Sequence, residues 1–174
     1  MAVPPLRRST VSHSSDRYCA VLGAEGVGLG RWHNNHHQWL GSRAFSSDAI
    51  QPTWDAAVDG LAALLAEHAV RGAQLRVLLS ARYSRFCLVP WSDAIGHPRE
   101  LDAYARACFE NLYGQPLDDW RIVLSPEPAG AARIATALPE ALLQRLQALG
   151  RESRLSLRSV QPYLMAAYLS LIHI

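Results

Sequence analysis

The sequence predicts an α/β fold built on a mixed sheet, truncated, with a smaller α/β subdomain inserted into it. Three observations point there. Short apolar runs between Tyr18 and Phe45 read as an antiparallel meander. A long stripe from Trp54 to Ala69 reads as an amphipathic helix, and the run Leu75–Leu79 reads as a strand returning parallel to the meander.

Within the meander, Tyr18–Gly23 and Val27–Trp32 are separated by Ala24-Glu25-Gly26, where Gly26 is expected to supply the positive φ of a tight hairpin. A polar turn at His33–His37 leads into Gln38–Phe45. Pro52-Thr53 opens the helix, in which Trp54, Val58, Leu61, Ala62, Leu65 and Ala69 form one apolar stripe, and Gly72 stands where a C-cap is expected. Leu75-Arg76-Val77-Leu78-Leu79 is nearly continuous, as for a strand covered on both faces. Phe86–Val89 is another strand, stopped by Pro90, and a helix is expected over Pro98–Tyr113, with Leu101, Tyr104, Ala105, Cys108, Phe109 and Leu112 on one face. Trp120–Leu124 and Arg133–Leu138 pair across the turn-rich Ser125–Gly130. Pro139 starts a helix with Leu142, Leu146 and Leu149 as its stripe and Gly150 as its end. Leu155–Val160 is a last strand, and Pro162 opens a last helix.

Composition narrows the function. The chain has 174 residues, 49% of them hydrophobic, enough for a sizeable core. Its formal charge of +2 makes no electrostatic case for nucleic acid. All 17 basic residues are arginine, which excludes chemistry that needs a phosphate-binding or Schiff-base lysine. Cys19, Cys87 and Cys108 are widely spaced in apolar surroundings, as for reduced, buried thiols. Arg7-Arg8 is followed by the polar stretch Ser9–Asp16 rather than an apolar signal core, so export is not expected, and no stretch is long and apolar enough to span a bilayer.

The two ends call for separate treatment. Residues 1–16 are rich in Pro, Ser and Arg without periodicity and are expected to be a disordered lead-in. Leu169-Ser170-Leu171-Ile172-His173-Ile174 matches what CTG-TCT-CTT-ATA-CAC-ATC, the transposon mosaic end used in sequencing libraries, would encode, and reads as an artefact. The expected organisation is a first subdomain over 17–90, an inserted α/β subdomain over 91–153 and a return to the first subdomain over 154–168.

A meander, a helix and a parallel strand, in that order, form the opening of the actin-like, ribonuclease-H-like fold. Val77-Leu78-Leu79-Ser80, Leu88-Val89-Pro90-Trp91-Ser92 and above all Ser159-Val160-Gln161-Pro162-Tyr163-Leu164-Met165-Ala166-Ala167-Tyr168 sharpen this. With the Arg133–Leu138 strand and the Pro139–Gly150 helix before it, the last stretch resembles the strand–helix–strand–"x-V-x-P-x-x-L-A" passage of PilM-type pilus-assembly proteins. The type II secretion protein GspL, in its cytoplasmic part, and the pilus protein MshI are similar. The resemblance implies a cytoplasmic scaffold peripheral to the inner membrane. Its implied partner is the cytoplasmic tail of a single-pass membrane protein or an assembly ATPase.

Nucleotide-binding relatives carry a first hairpin of the form Asp-x-Gly-Ser-Ser-Ser-Val-Lys. Matching Gly23 and Val27 to it places Val21 at the aspartate, Ala24-Glu25-Gly26 at the hydroxyls and Gly28 at the lysine. No phosphate-binding group remains, and Glu25 would repel a phosphate. No cofactor, no metal and no catalytic residue is therefore expected. Other candidates fall to local context. Gly23, Gly26, Gly28 and Gly30 do not fit GxGxxG, and His33, His36 and His37 lack a nearby cysteine or carboxylate. Tyr18–Gly23 has no nuclease aspartate, and Ser80, Ser84 and Ser92 have no nucleophile-elbow context.

What remains is a group suited to interfaces: Arg82, Tyr83 and Arg85 after the central strand, and Trp91 after Pro90. The competing reading is that Trp91 packs internally and the arginines are solvated. The expected function is a non-catalytic scaffold of a pilus or secretion platform. The alternatives are an actin-fold ATPase or small-molecule kinase whose nucleotide-binding half is missing, and a stand-alone helper protein.

Overall fold

The computed structural model describes residues 16–33, 36–45, 54–69 and 71–164. Most of the lead-in, Asn34 and Asn35, Pro52 and Thr53, and everything from Met165 through the Leu169–Ile174 tail lie outside the described residues. Strands β1 (Arg17–Leu22), β2 (Gly26–His33) and β3 (His36–Ala44) form the antiparallel meander. Helix α1 (Asp55–His68) follows, and β4 (Gln74–Leu79) returns parallel to β1, with Tyr18 opposite Leu75 and Leu22 opposite Leu79.

A single 3-10 turn, Ala81–Tyr83, leads into β5 (Arg85–Val89). Then come α2 (Pro98–Tyr113), β6 (Trp120–Leu124), β7 (Arg133–Pro139), α3 (Glu140–Glu152) and β8 (Ser156–Pro162). The strands make two sheets: a five-stranded one ordered β3-β2-β1-β4-β8, and a three-stranded antiparallel one ordered β5-β7-β6.

Each sheet has its own core. Period-two alternation turns Tyr18, Ala20 and Leu22 of β1, Val27 and Leu29 of β2, and Leu75, Val77 and Leu79 of β4 toward one face. There they meet Val58, Leu61 and Leu65 of α1 and Leu142, Leu146 and Leu149 of α3. In the second core, Ala105 and Phe109 of α2 pack on Cys87, Val89, Ile122, Ala135 and Ala137. Helix α2 is well bounded: His97 and Glu100 form a reciprocal capping box, and Gly114 closes the C-terminus at φ 71°. Arg106 pairs with Asp102 one turn earlier in the helix and fastens α2 to the next loop by donating to the Leu117 carbonyl.

The structure revises several expectations. β5 lies in the second sheet, and the α3 stripe packs in the first core, so the second unit begins at Arg85 rather than after Pro90 and ends near Pro139 rather than at 153. β4 has only one fully buried face, since Arg76 is exposed and Leu78 half-buried. Gly26 does not supply a positive φ. Its constraint is close approach, because a Cβ there would sit 3.0 Å from the Arg43 carbonyl oxygen. Helix α1 ends at His68, before Gly72, and α3 runs past Gly150, with Arg154 taking the left-handed conformation at φ 55°. Leu112 is exposed, off the α2 stripe.

Candidate partner-binding cleft

Where the two units meet, the chain leaves β4 through the 3-10 turn and enters β5. Ser80 caps this turn by accepting from the Arg82 amide, and the turn directs Tyr83 inward and Arg82 outward. A cleft of about 630 Å³ opens beside it. Its described lining is Trp54 and Asp55 at the start of α1, Arg82, Tyr83 and Arg85 around the 3-10 turn, Gln115, Pro116, Leu117 and Trp120 after α2, and Pro139.

The predicted residues divide among three environments. Tyr83 does not present a surface: it is 3% exposed, packs in the first core, and its hydroxyl donates to the Gly23 carbonyl at 3.0 Å. Burial pushes its phenol above the ordinary tyrosine range, partly offset by the charge of Arg82. Tyr83 is an internal tie that holds the first hairpin to the 3-10 turn, which removes it from the candidate interface residues. Arg82 is exposed on the cleft wall. Arg85 is clamped between two rings, its Cζ 4.8 Å from the centroids of both Tyr113 and Trp120. Tyr113 is held in turn by a hydroxyl that donates to the Phe86 carbonyl and accepts from the Phe86 amide.

Trp91 lies elsewhere. It is 38% exposed, donates through Nε1 to Asp93, and lines a separate hollow of about 320 Å³ with Pro90, Ile95, Pro98, Leu101 and Arg133. The structure thus brings Arg82 and Arg85 together and separates Trp91 from them. Sequence reasoning missed Trp54 and Trp120 as cleft residues. Both were legible as aromatics at element starts, but nothing local says that they line one cleft.

The first hairpin is a tight turn at Ala24-Glu25. The Gly23 amide donates to the Gly26 carbonyl at 2.8 Å, and the Phe45 amide donates to the Glu25 carbonyl at 3.0 Å. A Cβ on Gly23 would lie 2.9 Å from the Gly26 oxygen, so this close approach requires glycine. Glu25 is exposed at the tip. The histidines sit in the strands rather than in a turn: His33 pairs with Asp16, and His37 packs on Trp32 with ring centroids 4.5 Å apart. Among the described residues, no three His, Cys, Asp or Glu side chains group as metal ligands.

No protein-family model matches the sequence, and no curated protein matches it. Solved structures do. The cytoplasmic domain of EpsL, an inner membrane component of the type II secretion system of Vibrio cholerae, superposes with a TM-score of 0.58 at 14% identity over 85% of this chain. A Bacteroides thetaiotaomicron protein with actin-like ATPase fold and unknown function gives 0.53 at 9% over 88%. A chain of the PilM–PilN type IV pilus biogenesis complex gives 0.58 at 16% over 89%.

The fold is actin-like. The chain spans 57%, 55% and 49% of those three proteins respectively, about half of an actin-like molecule. In that half, the five-stranded sheet is the first subdomain, and β5, α2, β6 and β7 form the unit inserted into it.

Proposed function

We propose that this chain is a non-catalytic scaffold of a pilus-assembly or type II secretion platform, cytoplasmic and peripheral to the inner membrane. Its cleft would hold the cytoplasmic tail of a single-pass inner-membrane protein. The observation that carries the reading is the cleft itself. Among the described residues its walls combine two tryptophans and two arginines, residue types that serve interfaces, with two prolines. The likeness to a chain of the PilM–PilN complex and to a cytoplasmic domain of an inner membrane component supports the same setting. No helix among the described residues is long and apolar enough to cross a membrane.

The non-catalytic reading draws support from the first hairpin, where Ala24 and Glu25 occupy the turn without a hydroxyl, and a carboxylate stands at the tip. Titration of the full-length gene product with a fluorescent ATP analogue and magnesium should show no saturable binding. If binding occurs and Glu25→Ser weakens it, the chain belongs to a working actin-fold ATPase or kinase and the scaffold reading fails.

A further inference from the structure

Among the described residues Arg85 has no hydrogen-bond or ion-pair partner, and its Nη1 is buried without an acceptor. A guanidinium is poorly served by such a site, because a buried donor on a charged group loses its water and gains nothing polar in exchange. The rings of Tyr113 and Trp120 fix its position from both sides, so it is pre-placed rather than idle. Arg82, on the same cleft, is also without an ion-pair partner. Asp55 is the one acid among the cleft-lining residues, and it pairs with neither arginine. The described lining is thus one positive charge in excess, in a cleft that Trp54 and Trp120 also line.

We infer that the segment held in the cleft carries a side-chain carboxylate beside an aromatic or branched apolar residue, and that Arg85 is the anchor for that carboxylate. The inference rests on the peptide-holding reading above. Nη1 itself is buried, so a carboxylate would accept from the edge of the guanidinium that lines the cleft, in the planar geometry that arginine matches and lysine does not. The neighbouring apolar residue packs against the tryptophans that line the cleft. If Arg85 served only to pack between rings, the folded state would depend on it and ligand charge would not matter.

The test is a display selection of random peptides on the immobilised 174-residue chain, run in parallel on Arg85→Met and on Gln115→Trp, an exposed cleft-wall position where a large ring blocks entry. Peptides selected on the unaltered protein should be enriched in Asp or Glu next to an apolar residue. They should weaken about tenfold or more on Arg85→Met and fail on Gln115→Trp. Replacing the peptide's acid by its amide should cost the same factor on the unaltered protein and almost nothing on Arg85→Met. Arg85→Gln, which keeps a polar side chain of similar length between the rings but no charge, repeats the test should Arg85→Met fold poorly. Peptides that fail on Gln115→Trp yet show no acidic enrichment and bind Arg85→Met unchanged would overturn the carboxylate anchor and leave the cleft reading standing. Peptides indifferent to Gln115→Trp, or no binders at all, would overturn both.

Discussion

Removing one oxygen from Tyr83 separates a structural tie from a contact residue. In Tyr83→Phe the ring stays in the first core and only the bond to the Gly23 carbonyl is lost. A net intramolecular hydrogen bond is worth about 1 kcal/mol. The bond is only part-buried, so the larger penalty of an orphaned, fully buried acceptor does not apply. The expected loss is therefore about 1 kcal/mol, whereas Tyr83→Ala, which empties the ring site, should cost about 3–5 kcal/mol.

The pH dependence follows from the raised phenol. Above about pH 10 the unfolded chain ionises this tyrosine while the folded chain keeps its proton. Its contribution is thus complete below that pH and is lost as pH rises through the folded value. Denaturant unfolding at neutral and alkaline pH should show Tyr83→Phe less stable at pH 7, with a shallower alkaline decline. A Phe variant as unstable as the Ala variant, or equal to the parent with the same alkaline arm, would refute the tie.

Three further outcomes follow from the packing. Gly60→Ala should gain about 1 kcal/mol of helix propensity, but its Cβ would lie 2.8 Å from Val27 Cγ1 in the core, and overpacking costs about 1–3 kcal/mol. A lower denaturation midpoint is expected, and a higher one would show that Val27 yields. Phe109→Ala should cost about 3–5 kcal/mol, with hydrogen-exchange protection falling in β5, β7 and α2 before β1 and β4; equal loss in both sheets would deny separate cores. Cys87, its thiol pushed up by burial and by its neighbour Cys108, should alkylate slowly at neutral pH until the chain unfolds, and rapid labelling of native protein would contradict the burial.

Local pattern carried most of the element order, because alternation in β1 and β2 and the leucine stripe of α3 report directly on a covered face. It did not carry partnership. Phe86–Val89 reads the same whether it extends the first sheet or starts a second, since the difference is its pairing with β7 far along the chain. Helix α3 has the expected stripe, yet only the tertiary fold assigns that stripe to the first core. The site shows the same limit. Arg82-Tyr83-Ser84-Arg85 has interface composition, but whether a loop tyrosine points in or out depends on the Gly23 carbonyl that waits for it sixty residues earlier. Trp54 and Trp120 become cleft walls through the same long-range assembly.

The central claim is that the cleft beside Arg82 and Arg85 holds a membrane protein's cytoplasmic tail. A photo-crosslinking amino acid placed at Gln115 of the full-length protein, in its native cells, tests it most directly, with the captured peptide identified by mass spectrometry. The account predicts crosslinks to the cytoplasmic segment of a protein with one transmembrane helix, lost when Arg85 is replaced by Met. Crosslinks confined to soluble proteins, or unchanged by Arg85→Met, would contradict it.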